Sequence, residues 1–199
     1  QSTMPDVLAI ATSTPLEVVE VPENIDVTLY SELDKIIYDN IEIDDAKGTI
    51  KISNQRILLD GFKMNMLEGS MVMNGEYNTQ DMRAPLVDFG LNISGFNIPA
   101  TYYAFNTVEQ LAPIARNLQG NVSMSVEFTS FLDSVMMPVL NTMVGKGSLS
   151  SNNVEITESK TLNKLTQGLS LSKDVEGAKI NGLDLSFEIR NGRVYVDPF

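Results

Sequence analysis

Adjacent carboxylates are the first residues in this chain whose types could do chemistry. Asp44 and Asp45 stand side by side, and a glycoside hydrolase needs two carboxylates that face one bond. Ile41 and Ile43 alternate with polar residues before the pair, and Lys47 follows it. This pattern is typical of a strand that ends in a solvated turn, so we interpret the two carboxylates as surface residues.

The segment 145–148, Gly-Lys-Gly-Ser, is the second candidate, because it resembles part of a phosphate-binding loop. Leu140 stands where such a loop needs its first glycine, and we interpret the two glycines as a helix end. The chain contains no histidine and no cysteine, which removes the commonest general base, the catalytic triad and the commonest metal ligands. We therefore predict a protein that is not an enzyme and has no cofactor and no metal.

An apolar group of residues has more chemical content than either polar segment. Thioether side chains are flexible and polarizable, so a surface lined with methionine adapts to irregular apolar partners such as acyl chains. We predict that one sheet face carries a methionine ladder, which either packs beneath a short helix or contacts lipid. The residues concerned are Phe62, Met64, Met66, Met71 and Met73.

A repeated segment organises the strands around this ladder. Residues 48–62 align with residues 185–199 without a gap, and five positions are identical in type, including an asparagine, an arginine and an aspartate. One supersecondary unit used twice indicates a chain assembled from repeated β-hairpins.

The position of a two-residue turn in each copy predicts which residues pair across the two strands. A two-residue turn at Asn54-Gln55 pairs Ile52 with Ile57, and a turn at Asn191-Gly192 pairs Ile189 with Val194. By the same rule Ile50 pairs with Leu59, and Phe187 with Val196. The two copies therefore place their branched and aromatic side chains on one face in the same way.

Two further features are predicted beyond Leu59. The apolar positions change from odd to even numbers, and either a β-bulge at Asp60-Gly61 absorbs the shift or the strand is apolar on both faces. A turn at Glu68-Gly69 then pairs Met66 with Met71 and Met64 with Met73.

The rest of the chain predicts a β-dominated α+β fold, a curved antiparallel meander sheet with two or three short helices, built from repeated β-hairpin units. The alternation of Ile25, Val27 and Leu29 predicts a half-buried strand. Residues 1–14 have the composition of a linker or tail, and residues 15–199 are predicted to form a single domain. The other predicted strands cover residues 16–21, 36–38, 41–43, 85–94, 122–128 and 149–156. The predicted helices cover residues 106–118, opened by a capping box and interrupted by Pro113, then 131–144 and 158–168.

Charge and hydropathy exclude several functions. The net charge of −12 argues against nucleic acid and against electrostatic docking on anionic lipid. No stretch approaches the roughly 18–20 apolar residues of a membrane span. Because the sequence begins at Gln1, we expect a fragment of a longer protein from which an N-terminal anchor or leader has been removed.

Four segments in order along the chain resemble the C-terminal region of AsmA-family proteins. They are residues 21–27 (VPENIDV), 111–120 (LAPIARNLQG), 137–147 (MPVLNTMVGKG) and 187–194 (FEIRNGRV). The resemblance implies an AsmA-like periplasmic domain of a double-membraned bacterium, held at the inner membrane by an N-terminal helix. AsmA-like and TamB-like proteins are β-rich, with an elongated apolar groove, and are implicated in outer-membrane biogenesis and lipid movement between membranes. The resemblance transfers no catalytic residue.

We expect a non-enzymatic periplasmic segment whose apolar sheet surface, including Phe62, Met64, Met66, Met71 and Met73, contacts phospholipid or another envelope lipid. Envelope-assembly proteins are further expected partners. The alternative is a structural or protein-binding repeat module that pairs through its strand edges.

Overall fold

The computed structural model of the chain describes residues 18–38, 41–157, 179–180 and 182–197. The strands are β1 Asp26–Tyr38, β2 Ile41–Ser53, β3 Arg56–Met66, β4 Gly69–Asn78, β5 Leu86–Asn97, β6 Leu118–Gln119, β7 Asn121–Phe131, β8 Val144–Ser151, β9 Val154–Ile156, β10 Lys179–Ile180, β11 Leu183–Arg190 and β12 Arg193–Val196. The helices are α1 Ile98–Ala104 and α2 Asn106–Leu111, with 3₁₀ turns at Pro113–Asn117 and Leu140–Thr142.

Nine strands form one antiparallel sheet in the order β1-β2-β3-β4-β5-β7-β8-β11-β12. Each strand lies beside the next large strand in sequence, so the sheet is a meander with β1 and β12 at its edges. The three short strands form a second sheet in the order β10-β9-β6. The predicted fold class is confirmed, since the described chain is mostly antiparallel strand with few short helices. The predicted tail, residues 1–14, lies outside the described residues.

Both predicted hairpin registers are confirmed. Ile52 lies opposite Ile57 and Ile50 opposite Leu59, while Ile189 lies opposite Val194 and Phe187 opposite Val196. All four turn residues have positive φ, between 51° and 70°. Positive φ at both central positions defines the tight turn whose twist matches that of the flanking strands.

The predicted bulge is also confirmed, but the predicted methionine pairing is wrong. The register between β3 and β4 shifts between Leu59 and Phe62, and Gly61 has a φ of 58°. Beyond the bulge, Met64 lies opposite Met71 and Phe62 opposite Met73.

The pairing moves by two residues because the turn is Leu67-Glu68, both with positive φ, and not Glu68-Gly69. Gly69 belongs to β4, where a Cβ atom would overlap the carbonyl oxygen of Ser94. This glycine therefore serves close strand packing, not turn formation. A shift of two residues keeps every side chain on its face, so the ladder survives with new partners.

The predicted interruption of helix 106–118 at Pro113 is confirmed. The segment is two pieces, α2 and a 3₁₀ turn that begins at Pro113, because proline cannot continue the hydrogen-bonding pattern. The other helix predictions need correction. Asn106 makes no capping bond, since Phe105 is the cap residue. α1 was not predicted, although Asn97 caps it by accepting a hydrogen bond from the N–H of Ala100 at 3.0 Å and a proline follows within the first turn.

The predicted helix 131–144 is mostly a loop that carries one 3₁₀ turn, and Val144 already begins β8. Gly145 and Gly147 consequently lie in a strand, and our interpretation of them as a helix end is wrong. At Gly147 a Cβ atom would lie 2.7 Å from the Phe187 ring, so the glycine makes room for that ring. The third predicted helix, residues 158–168, lies outside the described residues.

Candidate lipid-contact face

One face of the large sheet is apolar from edge to edge. The cross-strand partners along a single row can be followed through all nine strands without meeting a polar side chain. The row runs Leu29, Ile50, Leu59, Gly75, Phe89, Phe128, Gly145, Ile189, Val194. Period-two alternation in every strand and matching registers between strands together create this surface, which we call the apolar face.

The methionine ladder belongs to parallel rows of the same face. Beyond the bulge, one row runs Met64, Met71, Ile93, Met124, Leu149, Leu185, and its neighbour runs Phe62, Met73, Leu91, Val126, Gly147, Phe187, Val196. The five predicted contact residues are therefore brought together. They form part of a much larger apolar surface that the sequence analysis did not recognise as continuous.

The opposite face of the sheet is polar. Polar side chains outnumber apolar ones there, and one row runs Thr28, Lys51, Leu58, Glu76, Asp88, Thr129, Val144, Arg190. Glu127 and Lys146 face each other across β7 and β8 and form an exposed ion pair at 3.7 Å. The sheet is therefore amphipathic over its whole width, with solvent on one side.

Part of the apolar face is core. Phe62, Met64 and Met66 are only 7%, 7% and 6% exposed, and they pack in one cluster with Phe96. Ala104 of α1 and the adjacent Phe105 pack against this cluster, which is the arrangement expected for methionines beneath a short helix. Met71 and Met73 are partly buried at its margin. In this conformation the first three side chains offer little surface to a ligand, so contact between lipid and the five residues stays a prediction.

Two other segments cover the middle and one end of the apolar face. Leu111 of α2 and Met143 of the loop before β8 pack against Val126 and Ile189. At the end of the sheet, buried Val21 packs against Tyr77. The Tyr77 hydroxyl donates to the carbonyl of Val19 at 2.9 Å, and burial raises the pKa of this phenol. Residues 19–21 thus form a strap on the sheet. The predicted strand over residues 16–21 is wrong for its described residues 18–21, which belong to no strand because they bond the side chains of Tyr77 and Thr79 and not a neighbouring backbone.

The apolar face remains open beside β1. Val27, Leu29 and Leu33 are 39%, 44% and 45% exposed, more than the predicted half-buried strand implied. Four neighbours on β2 and β3 are partly buried and continue the open area; they are Ile50, Ile52, Ile57 and Leu59. An exposed apolar area bounded by polar residues marks an interaction or ligand surface.

The two adjacent carboxylates, Asp44 and Asp45, bond to neighbouring side chains on the surface. Asp44 lies 3.8 Å from the Lys35 ammonium, and Asp45 accepts a hydrogen bond from Asn65 at 3.1 Å. The predicted strand end at this pair is wrong, because β2 runs through it from Ile41 to Ser53. Asp45 has a φ of 51°, so the pair marks a local irregularity within that strand. Across the part of the chain that the structure describes, no group of three acidic side chains could hold a metal ion.

Comparison of the chain with protein-family models, with curated proteins and with solved structures gives no match. The resemblance to the AsmA family therefore stays a prediction. Among the described helices, none has both the length and the apolarity needed to cross a bilayer.

Proposed function

We propose that this chain is a non-enzymatic, AsmA-like segment that supplies an apolar sheet surface for lipid in the bacterial envelope. The lipid is a phospholipid or another envelope lipid, and the site of action is the periplasm, with an N-terminal anchor in the inner membrane. The segment would serve outer-membrane biogenesis or lipid transfer between membranes.

The row from Leu29 to Val194 is the observation that carries this proposal. An acyl chain needs an apolar surface without buried polar groups, and the part of the apolar face that stays open, on β1 and the adjoining β2 and β3, provides one. We assign the contact to the open area around Val27, Leu29 and Ile50. Met71 and Met73 extend this area, whereas Phe62, Met64 and Met66 support it from the core.

A pair of variants on neighbouring residues tests the assignment. Leu29→Asn places an amide on the apolar face, and Tyr30→Asn makes a similar change on the opposite face of the same strand, where Tyr30 is 87% exposed. We expect Leu29→Asn to reduce co-purified phospholipid, measured by native mass spectrometry and lipid extraction, and Tyr30→Asn to leave it unchanged. A wild-type protein that retains no phospholipid and binds no fluorescent phospholipid would contradict the proposal, as would equal losses in both variants.

A second function, pairing through strand edges, is favoured by β1. This strand has thirteen residues, and in the described part of the chain it has a neighbour on one side alone. Long exposed edge strands are templates for strand addition. Ile37 is 74% exposed and adds apolar surface beside the unpaired backbone.

The edge pairing can be measured separately from lipid binding. The register between β1 and β2 directs the backbone N–H groups of Thr28, Tyr30 and Glu32 away from β2. We expect these amides to exchange quickly in the isolated chain and slowly when a partner strand is present, as followed by hydrogen exchange. Slow exchange in the isolated chain would show that the edge is already occupied.

A further inference from the structure

The structure contains one copy of the repeated hairpin with its outer edge filled and one with it open. In the first copy, β3 pairs with β4 on the side away from β2. In the second copy, β12 stands at the same place as β3, and no other described strand lies beside it. The strand that pairs with β3 in the first copy therefore indicates which kind of strand fits beside β12 in the second.

The filled copy defines a register and a side-chain pattern. Tyr77 lies opposite Ile57, Glu76 opposite Leu58 and Gly75 opposite Leu59. The carboxylate of Glu76 lies 3.4 Å from the guanidinium of Arg56, the first residue of β3. The partner strand thus carries a small residue, an acid and an aromatic residue in that order.

The open copy presents the matching half of this pattern. Arg193 occupies the position of Arg56, and it makes no ion pair with any described residue. Arg190 by contrast is engaged, since it bonds Glu188 at 3.1 Å and lies 4.6 Å from the centre of the Tyr195 ring. Val194 and Val196 continue the apolar face, and Val196 is 49% exposed.

The backbone of β12 is also available. The N–H of Asp197 donates to the carbonyl of Ser186, which fixes Tyr195 and Arg193 as the residues that bond β11. Val194 and Val196 therefore direct their N–H and C=O groups to the open edge. Ile57 and Leu59 use the same groups to bond β4, as the neighbouring bond from the Thr79 N–H to the Gln55 carbonyl shows.

We propose that β12 accepts an antiparallel strand with the sequence pattern small-acidic-aromatic, in the register by which β4 pairs with β3. The acid of that strand bonds Arg193, and its aromatic residue packs against Val194 on the apolar face. This inference deepens the edge-pairing function, and it names a partner for an edge other than β1. A second copy of this chain is disfavoured as the partner, because each copy carries a net charge of −12.

A peptide with the sequence of residues 72–80, taken from β4, is the probe. We expect it to shift the amide resonances of Val194 and Val196 and to slow their hydrogen exchange. Arg193→Glu should lower the affinity for the peptide roughly two- to fivefold, as expected for the loss of an exposed ion pair. A peptide with lysine in place of Glu76 should recover the affinity on the Arg193→Glu protein.

Val194→Pro is the second variant, because proline on an edge strand removes the outward N–H and spares the bonds to β11. It should abolish peptide binding in a protein whose urea midpoint is nearly unchanged. Slow exchange of Val194 and Val196 in the free protein would overturn the inference, as would a concentration-dependent dimer through β12. Protection of β1 without β12 would overturn it and leave the edge-pairing function standing. If the peptide protects neither edge from exchange, both this inference and the edge-pairing function are overturned.

Discussion

The two hairpin copies share five of their fifteen residues and the same register, but their surroundings differ. In the first, β2 and β3 have neighbours on both sides; in the second, β11 has two neighbours while β12 has one among the described strands. Ile189 is 5% exposed because Leu140 and Met143 pack against it, whereas Ile52 at the equivalent position is only partly buried. The comparison teaches that this repeat specifies its own turn and register but leaves its burial to the rest of the chain.

Proline at the outer edge gives the largest expected difference between the copies. Ile57→Pro removes a backbone bond to β4 and leaves a carbonyl without its donor, so we expect a loss of about 3 to 5 kcal/mol in the free energy of unfolding. Val194→Pro should cost less than about 1 kcal/mol, because its N–H faces an open edge. Urea unfolding measures both, with Ile57→Ala and Val194→Ala as controls for the lost side chains. Equal losses would mean that β12 is already paired.

Truncating an isoleucine on the inner strand should cost more stability in the second copy than in the first. This is the reverse of the order expected for proline at the outer edge. Ile189→Ala removes buried contacts with Met143, and we expect a loss of about 2 to 3 kcal/mol. Ile52→Ala should cost about 1 kcal/mol, since its site is partly open to solvent. Thermal unfolding and urea unfolding should agree on this order. A larger loss at Ile52 would show that the first copy is the better packed one.

Exchanging the second turn residue between the two copies should stabilise the protein in one case and destabilise it in the other. Gln55 has a φ of 60°, a region where glycine is favoured, so we expect Gln55→Gly to stabilise the protein by up to about 1 kcal/mol. Gly192→Gln should destabilise it by about 1 kcal/mol or more. Gly192 has a φ of 70°, and a Cβ atom there would lie 3.3 Å from Leu140. Stabilisation by both changes would contradict the turn geometry of the second copy.

Alkaline pH should lower the free energy of unfolding through Tyr77 in the filled copy. Tyr77 lies opposite Ile57 and has no described counterpart opposite Val194. Burial raises the pKa of Tyr77 in the folded state, so the unfolded state releases its proton first as pH rises. The contribution of Tyr77 to the free energy of unfolding should therefore be constant below about pH 10 and fall above it. Tyr77→Phe should lower stability at neutral pH and flatten the alkaline decline. An unchanged slope in this variant would assign the decline to another group.

The local patterns that the sequence predicted correctly are those in which a few neighbouring residues decide the outcome. Asn54-Gln55 and Asn191-Gly192 set their registers because both the turn and the alternation act over short range. The turn after Met66 was misplaced because Gly69 looked like a turn residue. Its lack of a side chain serves the approach of β5, which is distant in sequence. The helix predicted over residues 131–144 failed for a similar reason, since apolar spacing there reflects packing on the sheet.

The sequence by itself determined the β-dominated class, the two hairpins, the bulge at Gly61 and the amphipathic alternation of the strands. These features follow from steric and hydrogen-bonding preferences that act between neighbours. Only the tertiary structure decided that the alternating strands join into one apolar face and that Met64 is buried in the cluster against which Ala104 of α1 packs. It also decided that the outer edge of one hairpin copy is filled, while that of the other has no neighbour among the described strands. Burial and strand order depend on contacts between distant segments, which no local pattern contains.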